Sequence, residues 1–240
     1  MPLAALVVLM MAALWAAAAL VASPGHAGSA SPRELPIAVP LDSLDGLEPV
    51  HVRGEMVEYR GRRAVHLVDE PRGGSLARSL AIIKGSDFAN GTVTLDVAAS
   101  PRPGAPPDAR GFVGLAFHVR PHASEFECIY LRMTNGHADD PVRRRHAAQY
   151  IAYPDFPFDK LREESPGVYE APADVEARAW TTMRIVVAGS RARLYLHGAE
   201  QPALAVDDLK LGEGRGQLGL WLDADTDAYF ANLTIRKEIQ

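Results

Sequence analysis

Apolar and polar side chains alternate along residues 111–120, GFVGLAFHVR. Val113, Leu115, Phe117 and Val119 fall on one side of the alternation; Gly114, Ala116, His118 and Arg120 fall on the other. A β-strand sends successive side chains to opposite faces. The first set is therefore predicted to enter a core, and the second to line an open sheet face. The same period runs through residues 92–98, TVTLDVA, with Val93, Leu95 and Val97 together. Further strand-like runs occupy 57–59 and 64–68 around Arg60-Gly61-Arg62-Arg63, then 79–83 and a run ending near Arg132. Residues 180–188 and 192–197 flank Gly189-Ser190-Arg191, a hairpin signal; 203–206, 217–221 and 229–236 complete the series. Roughly ten to twelve short strands with turn residues between them, and no long amphipathic helix, predict an all-β sandwich or barrel.

One segment breaks the pattern. Residues 132–170 carry no sustained apolar period and are dense in Arg, Asp, Glu, His, Tyr and Pro. A structureless loop longer than ~15 residues inside a compact domain is uncommon and often functional. Function is therefore expected on this long polar loop. Residues 139–148 suit a short helix with an Arg-rich face, whose start Pro141 limits.

The amino terminus changes the picture of where the domain works. Residues 1–27 contain no Asp, Glu, Lys or Arg, and the run from Leu3 to Ala22 is wholly apolar. Small residues follow, with Ala22 and Ala27 as cleavage ends, so 1–27 reads as a signal peptide. The n-region lacks Lys and Arg, and the run is long enough to span a bilayer; a retained anchor is the alternative, and the one route to a membrane. Residues 28–44 read as a flexible lead-in and 45–240 as one domain, exported to a periplasmic or extracellular location. A net charge of −5 offers no general attraction to nucleic acid or anionic lipid. The single cysteine, Cys128, precludes an internal disulfide and falls in a strand pattern, as a buried small hydrophobe does.

Two groups of residues carry a resemblance. The runs from Trp180 to Val187 and Arg193 to Gly198, and those from Gly216 to Trp221 and Tyr229 to Ile235, look like paired and C-terminal strands of concanavalin A-like lectin/glucanase domains. The resemblance implies an antiparallel two-sheet jelly-roll sandwich. Residues 112–117 and 127–132, Thr134-Asn135-Gly136, Ala138-Asp139-Asp140 and 143–150 resemble exported bacterial proteins of the 3-keto-disaccharide hydrolase domain type. That second likeness implies glycan chemistry on oxidised sugars. The Glu-x-Asp-x-(x)-Glu strand of many glucanases of this fold is absent, and Glu125-Phe126-Glu127 is the nearest sequence.

Glycoside hydrolysis usually uses two carboxylates flanking the bond. Glu127 is the first acid/base candidate and His146 the second, since an imidazole titrates near neutrality. Glu125, Asp139, Asp140, Asp155, Glu163 and Glu164 are possible partners, against the ordinary reading of solvated or Arg-paired acids. Arg132, Asn135, Arg144, His146 and Tyr150 are residue types that hold sugars: a rigid guanidinium fork, an amide that both donates and accepts, a ring with a polar tip. The competing reading is a network that pins the loop. His118 and Arg120 are expected to floor the cleft, beneath the folded-over polar segment. Phe156 and Phe158, flanked by prolines, read as staples for that segment. No zinc-ligand spacing is present and no cofactor is expected; Asp223, Asp225 and Asp227 are chemically able to hold a structural Ca²⁺. The expected partner is a carbohydrate or glycoside, either bound or hydrolysed. A structural envelope protein is the third reading.

Overall fold

The computed structural model describes residues 36–70 and 78–238. Among these, the strands in chain order are β1 Ile37–Val39, β2 Leu47–Val50, β3 Val52–Tyr59, β4 Arg62–Asp69, β5 Ser79–Phe88, β6 Gly91–Pro101, β7 Phe112–Val119 and β8 Phe126–Arg132. They continue as β9 Ala148–Tyr153, β10 Glu170–Ala171, β11 Thr181–Ala188, β12 Arg191–Leu196, β13 Leu204–Val206, β14 Gly216–Leu222 and β15 Thr226–Lys237. All pairings are antiparallel. The front sheet runs β10-β9-β8-β7-β14-β5-β2; the back sheet runs β13-β12-β11-β6-β15-β4-β3, with β1 also on β15. This is the expected two-sheet sandwich.

The period-2 runs place the core. Val113, Leu115, Phe117 and Val119 of β7 are all buried, as expected, and share their face with Ile129, Leu131, Leu220 and Leu222 of the flanking strands. On the back sheet, Val93 and Leu95 pair with Ile185 and Met183, which pair in turn with Leu194 and Leu196. These two apolar faces join in one buried cluster. Burying one such side chain is worth roughly 1.5–3 kcal/mol, so the facing stripes dominate the stability of the sandwich.

The polar segment 132–170 is not structureless. It carries α1 (Pro141–Arg145), β9, α2 (Phe158–Glu164) and β10. Asp140 caps α1 by accepting a 2.7 Å hydrogen bond from the Val142 N–H, which offsets one orphan donor of the first turn. β9 lies between β8 and β10 with five of its six residues buried. A strand covered on both faces has no polar side to alternate with, so AQYIAY hid its period. The described part of the lead-in, from Pro36, likewise contains strand β1 and buried Leu41. Residues 1–27 and the rest of the lead-in lie outside the described residues. Among the described residues no helix is long and apolar enough to cross a membrane.

Candidate functional site

The cleft lies at the end of the front sheet where β7 begins and β8 ends. Phe112, the first residue of β7, pairs with Arg132, the last of β8. Arg110 comes just before β7, Asn135 from the turn after β8, Arg143 from α1, His146 from its end, Phe158 and Arg162 from α2, and Asp223 from beyond β14; these residues, with Tyr130 and Val142, line a cleft of about 310 Å³. That is at the small end of the range for ligand pockets.

Arg132 is the centre of the wall and only 5% exposed. Its guanidinium donates to the His146 carbonyl (2.9 Å), the Tyr130 hydroxyl (3.0 Å) and Gln149 Oε1 (3.3 Å). Its charge lies over the rings of Tyr130, Phe158 and Phe112, at 5.1, 5.4 and 5.9 Å from their centroids. Tyr130 packs across from Gly114, where a Cβ would come within 2.5 Å of the Tyr130 Cβ. The glycine thus clears space for the ring that flanks Arg132. Asn135 donates from Nδ2 to the same His146 carbonyl at 3.2 Å and accepts from Arg143 Nη2 at 3.3 Å. Both residues therefore grip the backbone of His146, and its side chain is left to meet Glu170 at 3.1 Å. Burial, with Arg162, Arg132 and Arg145 nearby, holds the His146 imidazole below its usual pKa despite Glu170.

The charges in the cleft are unbalanced. Arg162 pairs with Glu170 at 2.8 Å. Among the described residues, no ion pair joins Arg110, Arg132 or Arg143 to a carboxylate. The Arg110 guanidinium is held below its usual value by burial and by the charges of Arg143 and Arg132, with Asp108 opposing. Asp223, the one carboxylate lining the cleft among the described residues, is pushed up, chiefly by burial, against a 2.8 Å bond from the Ala224 N–H and the attraction of the Arg132 charge.

Glu127 and Tyr150 lie elsewhere. They occupy the opposite face of β8 and β9, which points into the sandwich, and both are fully buried. The Tyr150 hydroxyl donates to Glu127 Oε2 in a short hydrogen bond. It accepts from the Lys210 N–H at 2.7 Å, while the Leu211 N–H donates to Glu127 Oε1 at 3.0 Å. Burial raises the Glu127 carboxyl to about 7, against the hydrogen bonds from Tyr150 and Leu211. The expectation that Glu127 and Tyr150 share a cleft with Arg132 is corrected: one-residue alternation along β8 and β9 puts them on the other side. Glu125 is exposed in the turn before β8.

No family model matches the chain, and no curated protein does. Solved structures do. The chain is similar to the carbohydrate-binding module CBM66 from Bacillus subtilis, with 15% identity, 78% of this chain and 93% of that one covered, and a TM-score of 0.51. It is similar to a Bacillus subtilis protein of unknown function with a galectin-like fold, at 13% identity, 88% and 99% coverage and a TM-score of 0.52. It is also similar to a β-1,3-1,4-glucanase (lichenase) from a mouse hindgut metagenome, at 12% identity, 85% and 99% coverage and a TM-score of 0.50. The fold is the concanavalin A-like, galectin-like β-sandwich.

Within this galectin-like sandwich the remaining candidates scatter. His118 is buried in a bulge at the far end of β7, with a positive φ of 54°, its Nε2 2.8 Å from the Ala89 carbonyl oxygen. Arg120 is exposed just beyond it. The length of β7, about 20 Å, separates them from the cleft, so the open floor expected from His118 and Arg120 is not formed. Arg144 turns away to the carbonyls of Ala138 (2.5 Å) and Asp139 (3.2 Å). The carboxylates weighed for Ca²⁺ have separate partners: Asp223 the Ala224 N–H, Asp225 Arg102, and Asp227 His66. Among the described residues no group of three or more His, Cys, Asp or Glu side chains converges. The cleft residues unforeseen from sequence are Arg110, Phe112, Tyr130, Arg143, Phe158, Arg162 and Asp223. Phe112 pairs with Arg132 and so draws Arg110 to the mouth of the cleft, a register that the sequence pattern does not specify.

Proposed function

We propose that this protein is an exported carbohydrate-binding β-sandwich and that its ligand sits in the Arg132 cleft. The carrying observation is the convergence of Arg132, Asn135 and His146 with an exposed ring on one rim. Phe158 is 43% exposed at the start of α2 and lies over both Arg132 and Arg162. A partly exposed aromatic ring beside guanidinium and amide groups suits a sugar, which offers an apolar ring face and a hydroxyl edge. The carbohydrate-binding module of similar fold supports the same reading.

Binding is favoured over turnover. Hydrolysis by paired acids needs two carboxylates around one bond, and among the described residues this cleft is lined by one, Asp223. Glu170 is committed to His146 and Arg162, and Glu127 serves as an internal tie between the strands and residues 210–211. For the 3-keto-glycosides implied by the family resemblance, the cleft leaves His146 and Asp223 as its titrating groups.

Calorimetric titration with a panel of neutral, 3-keto and acidic oligosaccharides tests the reading. Phe158→Ala is expected to weaken the best ligand at least about fivefold, about 1 kcal/mol of stacking, with the fold intact. The sugar is expected back unchanged. Absence of binding by any sugar, or unaltered affinity in both Phe158→Ala and Asn135→Ala, rejects the site; release of free sugar from a 3-keto disaccharide replaces binding with catalysis.

A further inference from the structure

We infer that the ligand is an acidic sugar, a uronic acid whose carboxylate seats between Arg110, Arg132 and Arg143. The inference rests on the cleft being the glycan site and adds the chemical class. Three guanidinium groups reach one small cleft, and no carboxylate pairs with any of them among the described residues. The fourth, Arg162, is already neutralised by Glu170. Neutral sugar hydroxyls are recognised well by amides and carboxylates and do not call for three cations. Crowded like charges oppose one another, and removing them from water adds to that cost. An anion placed among them cancels the repulsion and, through charge-assisted hydrogen bonds, offsets part of the desolvation cost.

The arginines differ in what else they do. Arg132 is held by Tyr130, His146 and Gln149. Arg143 reaches Thr134 as well as Asn135. Arg110 makes only long bonds, 3.4 and 3.3 Å, to the Pro107 and Ala109 carbonyls of its own loop. A loop-pinning role thus explains part of Arg143 and little of Arg110. The planar guanidinium fork matches a carboxylate edge to edge, and the rings of Phe112 and Phe158 bound the space beside it. A sulfate ester on a neutral sugar presents related anionic chemistry, so the test separates the two.

The test is titration of the intact protein with trisaccharides of galacturonate, glucuronate and mannuronate, their methyl esters, their neutral parent sugars and the sulfate esters of those parents. At least one uronate is expected to bind tenfold or more tighter than its methyl ester. That preference is expected to shrink in high salt and to fall severalfold in Arg110→Gln and Arg143→Gln. Arg110→Gln is also expected to melt at or above the native temperature, because it relieves repulsion; a structural role moves melting the other way. Equal affinity for acid and ester, or a preference untouched by both substitutions, overturns the proposal while leaving a neutral-glycan site. Tighter binding of the sulfate esters overturns the uronate assignment. No binding of any sugar rejects the glycan reading as well.

Discussion

Strands β8 and β9 present two polar constructions on opposite faces, Glu127 and Tyr150 on one and Arg132 and Gln149 on the other. Inside the sandwich, Glu127 and Tyr150 form a closed chain of donors and acceptors: Lys210 N–H to the Tyr150 hydroxyl, Tyr150 to Glu127, and Leu211 N–H to the other carboxylate oxygen. On the outer face, Arg132 and Gln149 belong to a set of donors that outnumbers its anionic acceptors. The inner network completes itself from the protein. The outer one leaves charge directed into a space large enough for a ligand. Buried polar groups are normally paired, so a self-contained network points to architecture and an unbalanced one to a partner.

The largest expected effect breaks the inner face. Phe117 lies directly across from Glu127 on β7 and is fully buried. Phe117→Ala should cost about 3–5 kcal/mol through lost transfer energy and a cavity, read by chemical denaturation. A loss below ~1 kcal/mol would take Phe117 out of the core.

Next comes the pH response of Glu127. Its folded pKa, about 7, lies above the ordinary 4.5. The folded state then binds the proton more tightly than the unfolded state, so this contribution is present at low pH and lost as pH rises from about 4.5 through 7. The shift corresponds to about 3 kcal/mol. Glu127→Gln should flatten the dependence in that window, measured by urea denaturation at several pH values. A native protein with no such slope would mean that the three-donor chain keeps Glu127 ionised. Tyr150→Phe sharpens the same point on a smaller scale. It strands the Lys210 N–H and one carboxylate oxygen, at about 1–3 kcal/mol, and sugar affinity should not change.

The contrast between faces also explains what was legible beforehand. The alternation in β7 disclosed its core side because Val113, Leu115, Phe117 and Val119 are apolar without interruption. It mis-set the other side, because Gly114, Ala116 and His118 are buried too. Arg132, Asn135 and His146 were legible as sugar-type residues near the end of a strand. Glu127 was not separable from them by type. Its side of the sheet depends on register with β9, and β9 carried no period. Which member of Arg143-Arg144-Arg145 would enter the cleft depended on the rotation of α1, set by its cap at Asp140. Arg162 and Phe158 depended on α2, a short helix with little amphipathic signal.

The smallest expected effect concerns His146. Arg132 and Asn135 hold its carbonyl and leave its ring outside their network. Among the described residues the ring pairs with Glu170, which keeps its pairing with Arg162 when the imidazole is gone. His146→Gln should therefore leave the cleft wall in place and change stability by about 0.5 kcal/mol or less. Its lowered folded pKa adds a minor pH effect: stability falls as pH drops from the ordinary histidine value toward the folded one, because the unfolded state takes up the proton first. Sugar affinity in His146→Gln should stay within severalfold of the native protein. If a 3-keto disaccharide is turned over and that turnover disappears in His146→Gln with affinity retained, the ring acts in the chemistry. The outer face would then be a reaction site as well as a binding site, while the inner Glu127 network kept its structural role.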